Sequence, residues 1–318
     1  MALDPHVQRL LAMLSVFADN SHSSDDIAER RRAFATMMEL VGSKRPASVD
    51  HSDFAIPGPD SELILRLYVP ASTRQEISAA IVYLHGGGWM TGDLDTHDGL
   101  CGGLSEASAC RVIAVDYRLA PEHRHPAALF DAAAATRWIV DHATSLKVDP
   151  RRLAIAGDSA GANLAAALCR FFAQQGASPF VLQLLLYPFF DLVSDTPSRQ
   201  AYGQGFFMDL APMARDLALC FRENADLADL ADPLVSPLRA GDFRGLPAAH
   251  IHTAEYDPMR DEGAFYASRL AEAGVETRYT RHPGMIHQFL AMGGAIPYAA
   301  PALREAGAAV AAALNQTS

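Results

Sequence analysis

The sequence has little of what several classes of protein require. Its 318 residues include four cysteines, which are scattered and form no C-x-x-C pair. This usage is typical of reduced, buried thiols and does not fit a disulfide framework or a zinc site. The histidines form no H-E-x-x-H pattern or other metal-ligand spacing. The sequence therefore implies no metal ion and no organic cofactor.

Positive charge and long apolar runs are also scarce. The chain has 26 basic against 37 acidic side chains, a net charge of −11. Binding to phosphates needs an excess of basic residues, so nucleic acid and anionic membrane surfaces are excluded as partners. No run approaches about 18 uncharged apolar residues, the length that spans a bilayer. Gln8 and Arg9 interrupt the apolar residues near the N-terminus, unlike a secretory signal. We expect a soluble, cytoplasmic protein without stable membrane association.

Short apolar runs alternate with helical patterns along most of the chain. Half of the residues are hydrophobic and a fifth are charged, so a sizeable core is expected. The alternation predicts a mostly parallel sheet flanked by helices, with an antiparallel hairpin at one edge. The predicted strands are residues 53–56, 62–69, 79–84, 111–116, the run that ends at Gly157, 181–187, 248–254 and 276–281.

Two segments contain no strand pattern. Residues 1–45 show two amphipathic helices separated by a serine-rich break at residues 21–24. Residues 191–229 interrupt the strand–helix alternation with phenylalanine, methionine and leucine at helical spacing. We therefore predict an α/β core built from residues 46–190 and 230–318. The two helical segments are predicted to form a cap on this core.

Ser159 lies at the centre of the sequence Gly157-Asp158-Ser159-Ala160-Gly161, between an apolar run and a run of helix formers. The G-x-S-x-G pattern is typical of a nucleophile elbow, a strand-to-helix turn that exposes a serine hydroxyl on a strained backbone. The two glycines are required because a Cβ there would collide with the neighbouring strand or helix. We predict that Ser159 is a nucleophile.

A serine nucleophile needs a base, and the base needs an orienting acid. Asp257 and His287 each follow a predicted strand, in the chain order serine, acid, histidine that is typical of this elbow. The carboxyl ends of parallel strands meet at one edge of the sheet, where α/β proteins keep their sites. We therefore predict His287 as the base and Asp257 as its acid.

Other residues of the same types are present. Asp261 is an alternative to Asp257, although it lies four residues further from the strand and at the start of the next predicted helix. His250 and His252 fall inside a predicted strand. His123 and His125 precede the serine and so come in the wrong order.

A glycine run, Gly86 to Gly88, follows the early apolar strand at residues 79–84 and the residue His85. The loop after this strand is where the fold recruits backbone N–H groups for an oxyanion hole, together with the residue after the nucleophile. We predict Gly86, Gly87 and Ala160 as the donors. His85 is expected to hold the loop by hydrogen bonds.

Five motifs together give the chain a close family resemblance. They are His85-Gly86-Gly87-Gly88-Trp89, Asp116-Tyr117-Arg118-Leu119-Ala120-Pro121-Glu122, Gly157-Asp158-Ser159-Ala160-Gly161, Asp257-Pro258-Met259-Arg260-Asp261-Glu262 and Gly284-Met285-Ile286-His287. The sequence resembles the hormone-sensitive-lipase-like esterases, in the bacterial branch that carries G-D-S-A-G. This resemblance implies an α/β-hydrolase fold with a helical cap. It also implies that the protein hydrolyses short- to medium-chain carboxylic esters through an acyl-enzyme.

Two alternatives to an esterase stay open on the sequence. A lactonase or amidase would use the same catalytic residues. The plant gibberellin receptor resembles this family but has lost the triad histidine, whereas His287 is present here in an intact motif. Family members commonly dimerise through a late edge strand, so residues 276–281 predict a homodimer.

Overall fold

The computed structural model describes residues 2–21, 26–176, 178–221 and 226–315. The strands are β1 (Val49–Pro57), β2 (Glu62–Pro70), β3 (Ser78–Leu84), β4 (Arg111–Asp116), β5 (Val148–Asp158), β6 (Leu182–Leu186), β7 (Ala248–Tyr256) and β8 (Thr277–Ile286). The helices are α1 (Pro5–Ser21), α2 (Ile27–Val41), α3 (Asp98–Ser108), α4 (Ala127–Asp141), α5 (Ala160–Gln174), α6 (Pro197–Tyr202), α7 (Leu210–Cys220), α8 (Leu227–Leu230), α9 (Arg260–Glu272) and α10 (Ala299–Asn315).

The eight strands form one sheet in the order β1-β2-β4-β3-β5-β6-β7-β8. β2 pairs antiparallel with both β1 and β4, and the remaining pairs are parallel. The predicted hairpin at the edge of a mostly parallel sheet is therefore confirmed. β8 lies at the opposite edge, as expected for a strand that comes late in the chain.

Both faces of the sheet are covered by helices. Every residue of β3 is buried, which explains why residues 79–84 are continuously apolar rather than alternating. One apolar layer joins the sheet to α4, α5 and α9, and the other joins it to α1, α2, α3 and α10. The fold class predicted from the alternation of strands and helices is confirmed.

The segments predicted to lack strands contain helices and no strand where the structure describes them. Within residues 191–229 the described elements are α6, α7 and the start of α8. The predicted break between the first two helices falls mostly on residues 22–25, which lie outside the described part of the chain. α2 begins one residue after its N-cap Asp26, whose carboxylate accepts the N–H of Ala28.

Candidate active site

The turn between β5 and α5 holds Ser159 in a strained conformation. Its φ of 53° and ψ of −119° lie outside the regions that most side chains adopt, and its N–H donates to Leu186 O at 2.9 Å. A Cβ on Gly161 would lie 2.0 Å from the carbonyl oxygen of Leu84, and one on Gly157 would lie 2.4 Å from the Gly161 backbone. Glycine is therefore obligatory on both sides of the serine, as the motif predicted.

The structure brings Ser159, His287 and Asp257 into one hydrogen-bonded chain. His287 Nε2 lies 2.8 Å from Ser159 Oγ, and His287 Nδ1 lies 2.8 Å from Asp257 Oδ2. Because a carboxylate accepts, Nδ1–H donates to Asp257, which leaves the Nε2 lone pair to accept the serine hydroxyl. Each of the three residues directly follows the last residue of a strand, β5, β7 or β8. The arrangement is that of a nucleophile, a base and an orienting acid.

Neighbouring groups fix the positions of Asp257 and His287. Asp257 is fully buried, and its other oxygen, Oδ1, accepts the N–H of Met259 at 2.8 Å. The ring of Tyr187 packs edge-on against the His287 imidazole, with the ring centroids 5.2 Å apart. Ser159 is 9% exposed and is the most accessible of the three hydrogen-bonded residues. Asp257 and His287 are thus held away from water, at 0% and 4% exposure.

The alternative residues lie elsewhere. Asp261 accepts the N–H of Ser198 at 2.9 Å and pairs with Arg260 at 2.8 Å, so its carboxylate is engaged with the start of α6. His252 lies on β7 and contacts His282 across the sheet, with 3.0 Å between ring nitrogens. None of these contacts involves the candidate triad.

The loop after β3 lies beside Ser159, but its N–H groups differ in availability. The N–H of Gly86 donates to Asp158 Oδ1 at 2.8 Å in a buried environment. This contact removes Gly86 from the set of free donors. Among the hydrogen bonds of the described residues, none uses the N–H of Gly87 or Gly88. Ala160, the first residue of α5, has an N–H that the helix itself leaves unpaired.

Asp158 joins the elbow to the glycine loop, a role that the sequence reading missed. Its fully buried carboxylate also accepts the hydroxyl of Tyr83 at 2.8 Å and lies 3.3 Å from His97 Nε2. Burial alone would raise the pKa of Asp158, but His97 and Tyr83 outweigh it and lower that pKa below its usual value. The carboxylate therefore stays charged and keeps hold of the Gly86 N–H.

His85 holds the same loop, as the sequence predicted. Its Nδ1 lies 2.8 Å from the carbonyl oxygen of Gly86, and the Tyr117 hydroxyl donates to the carbonyl of His85 at 2.6 Å. Burial, with a smaller contribution from His97, lowers the pKa of His85 to about 4. The imidazole is therefore neutral near pH 7, and its Nδ1–H donates to Gly86.

A second missed residue, Glu262 of α9, ties the start of the insertion to the helix that follows Asp257. The buried carboxylate accepts the N–H groups of Phe190 and Asp191 and pairs with Arg199 at 2.7 Å. Burial raises the pKa of Glu262 to about 7, although Arg199 opposes the shift. Both Asp158 and Glu262 stand inside quoted motifs, but their partners lie 61 to 75 positions away in the chain, so no local signal predicted these contacts.

A small apolar cluster covers this edge of the sheet. It combines side chains of the glycine loop, the insertion, α2 and the residue two positions after Asp257. Its buried and partly buried members include Ile27, Trp89, Met90, Phe189, Met213, Leu217, Phe221 and Met259. The loops that carry the glycine run and Asp257 therefore pack into one apolar cluster with the insertion and α2. Among the described residues, no group of three or more histidine, cysteine, aspartate and glutamate side chains is arranged to hold a metal ion.

Comparison with known proteins agrees with this geometry. Residues 81–291 match the family model described as the alpha/beta hydrolase fold. The carboxylic ester hydrolase LipN of Mycobacterium tuberculosis is 39% identical over 299 residues, covering 91% of this chain and 77% of its own. The carboxylesterase NlhH of the same species is 35% identical and covers 98% of this chain and 97% of its own.

The solved structures include one of an ester hydrolase, EH1AB1, from the metagenome of Lake Arreo. It superposes with a TM-score of 0.93 at 37% sequence identity, and the match covers 98% of each chain. The family model matches more than half of the chain, and several relatives exceed 30% identity over most of it. The chain belongs to the α/β-hydrolase fold family, and its resemblance to the hormone-sensitive-lipase-like esterases is confirmed.

Proposed function

We propose that this protein is a serine carboxylesterase that hydrolyses short- to medium-chain carboxylic esters through an acyl-enzyme. The observation that carries the proposal is the hydrogen-bonded chain of Ser159, His287 and Asp257 beside a loop with free N–H groups. The broad class, carboxylic ester hydrolysis, is confirmed by relatives that bear this name at 35% and 39% identity.

In the proposed reaction, His287 Nε2 takes the proton of Ser159 as Oγ attacks the ester carbonyl carbon. The resulting oxyanion is bound by the N–H groups of Gly87, Gly88 and Ala160. Gly88 replaces Gly86 in this role because the Gly86 N–H is held by Asp158. The loss of one such donor typically costs about 3–4 kcal/mol of transition-state stabilisation.

Collapse of the tetrahedral adduct breaks the bond between the carbonyl carbon and the alcohol oxygen. His287, now protonated, donates its Nε2 proton to the leaving alcohol, which departs and leaves an acyl group on Ser159. Water then gives a proton to His287 and attacks the acyl carbon, and the reversed sequence releases the acid. Asp257 keeps the imidazole in the required tautomer and stabilises its positive charge.

The cap is proposed to consist of residues 1–45 and 191–229, on a core of residues 46–190 and 230–318. The contact between the two cap segments supports this proposal: Arg30 of α2 donates to Asp216 of α7 at 2.9 Å. Both segments also contribute to the apolar cluster over the site. Such a cover gives a compact site rather than an open groove.

The compact site predicts an optimum in acyl-chain length. Each further buried CH₂ gains about 0.8 kcal/mol until the pocket is full. Beyond that point, crowding costs about 1–3 kcal/mol and reverses the trend. We expect kcat/KM for p-nitrophenyl esters, measured from acetate to palmitate, to peak at acyl chains of about two to eight carbons. A maximum at the palmitate end would show a lipase-type groove and contradict the proposed substrate class.

A cytoplasmic location and a homodimer are the remaining proposals. All four cysteines are free and buried, which supports a reducing compartment. In the described part of the chain, the structure has no helix of the length and apolarity needed to span a membrane.

β8 lies at the edge of the sheet, where unpaired backbone groups can pair with a second copy. We expect light scattering at micromolar concentration to give twice the chain mass, and a monomer mass would exclude the dimer.

A further inference from the structure

One face of α2 lies against the loops of the candidate active site. Its members recur at helical spacing and are Ile27, Arg31, Phe34 and Met38. Phe34 stacks on His97, the partner of Asp158, with ring centroids 6.5 Å apart. Gln288, the residue after His287, places its Nε2 3.6 Å from the sulfur of Met38. The helix therefore touches groups that adjoin both the glycine loop and the catalytic histidine.

Arg31 makes the most specific contacts on this face. Its Nε donates to the carbonyl of Met90 at 2.9 Å, and its Nη2 donates to the carbonyl of Ala120 at 3.0 Å. Met90 and Ala120 are only 2% and 3% exposed, so their carbonyls depend on a protein donor. The guanidinium also pairs with Glu122 at 2.7 Å, but Glu122 is 47% exposed and such a pair contributes little.

The backbone that Arg31 holds is strained. Trp89, directly after the glycine run, has a φ of 60°, a conformation that residues other than glycine rarely adopt. Such a residue keeps this conformation only when its surroundings enforce it. The carbonyl of Trp89 is held by the N–H of Ala120 at 2.9 Å, and the next carbonyl, of Met90, is held by Arg31. Arg31 thus binds both of the loop segments that meet in this contact.

We propose that Arg31 is a positioning residue for the glycine loop, whose N–H groups are proposed to bind the oxyanion. By holding the carbonyls of Met90 and Ala120, it keeps the strained turn in place, and with it the N–H groups of Gly87 and Gly88. This inference rests on the proposed function, since it assigns part of the oxyanion geometry to a helix of the cap. α2 then contributes to transition-state binding in addition to covering the site.

The test compares Arg31→Ala with Arg32→Ala, a matched control at the next, exposed position of the same helix. The readouts are kcat and KM for p-nitrophenyl butyrate and the inhibition constant of an aryl trifluoromethyl ketone, which forms a tetrahedral adduct with a serine. We expect Arg31→Ala to lower kcat by about 10- to 100-fold, with KM changed less than about threefold. Affinity for the ketone should fall by a similar factor, because its oxyanion needs the same N–H groups. Arg32→Ala should match the wild type.

A folded Arg31→Ala protein with kcat near the wild-type value would overturn the proposal. So would a loss of kcat without a loss of ketone affinity. If Arg31→Ala does not fold, Arg31→Lys decides, since lysine keeps the charge near Glu122 but lacks the planar fork that reaches two carbonyls. We expect Arg31→Lys to lose at least about fivefold in kcat, and a wild-type kcat would refute the role of Arg31. Absence of ester hydrolysis by the wild-type protein would instead contradict the proposed function.

Discussion

We expect replacement of Ser159 by alanine to lower kcat for p-nitrophenyl butyrate by about 10⁶-fold, to the residual catalysis that binding and the oxyanion hole supply. The reason is that, among the hydrogen bonds of the described residues, Ser159 Oγ is the only hydroxyl that pairs with His287 Nε2, at 2.8 Å. His287→Ala should have a similar effect, and the double variant should lose little more, because members of a triad act as a unit. Initial rates measured at high enzyme concentration test these expectations.

The near-ultraviolet circular dichroism of each variant serves as the control for folding. Loss of the serine hydroxyl removes one atom from a small, buried turn, so the spectrum of Ser159→Ala should match the wild type. A folded Ser159→Ala variant that keeps more than about a hundredth of the wild-type kcat would exclude Ser159 as the nucleophile, since that loss is far smaller than triads show.

The second large effect is expected from Asp257→Asn, which should lower kcat by about 10⁴-fold. The asparagine is nearly isosteric, and its carbonyl oxygen can still accept the N–H of Met259. Its amide nitrogen would then face His287 Nδ1 as a donor, which favours the tautomer with the proton on Nε2. In that tautomer the imidazole no longer accepts the serine proton.

Asp261→Asn is the matched control for this prediction. It makes the same change of charge four residues away, at a carboxylate engaged with Ser198 and Arg260 rather than with the imidazole. We expect its kcat to stay within about threefold of the wild type, because its carboxylate makes no contact with the candidate triad. Near-normal activity of Asp257→Asn together with an inactive Asp261→Asn would reverse the assignment of the acid.

The sequence predicted the fold well because its signals are local. The continuous apolar run at residues 79–84 indicates a strand buried on both faces, and the structure buries β3 fully, as it does β6. The hairpin β1–β2 was also predicted, although β1 begins at Val49 rather than at residue 53. Its first residues alternate poorly, since four successive positions after Val49 are exposed, so the pattern gave no sign of the earlier start.

The candidate triad was predicted by position in the chain, and the structure brings those three residues together. The glycine loop was located in the same way, but the identity of its free N–H groups was not. That identity depends on the positive φ values of Gly87 and Gly88, at 115° and 63°, and on the carboxylate of Asp158. A glycine run indicates that such angles are permitted but not which angles are adopted.

The features that the sequence did not predict arise from contacts between segments that are distant in the chain. Arg31 lies on an exposed-looking, charged stretch of α2, where a basic side chain ordinarily indicates a solvated face. The buried groups that it binds are the backbone carbonyls of Met90 and Ala120, 59 and 89 positions further along the chain. Backbone acceptors leave no trace in the side-chain pattern, so this role required the structure.

The most direct test of the account is the site of covalent modification by diethyl p-nitrophenyl phosphate. The serine oxygen should attack the phosphorus and expel p-nitrophenolate, which leaves a diethylphosphoryl group on the enzyme. We predict release of one p-nitrophenolate per chain, loss of activity in the same proportion, and a modified peptide in which mass spectrometry places the group on Ser159. Inactivation with the group on another residue, or full activity in protein modified at Ser159, would contradict the account.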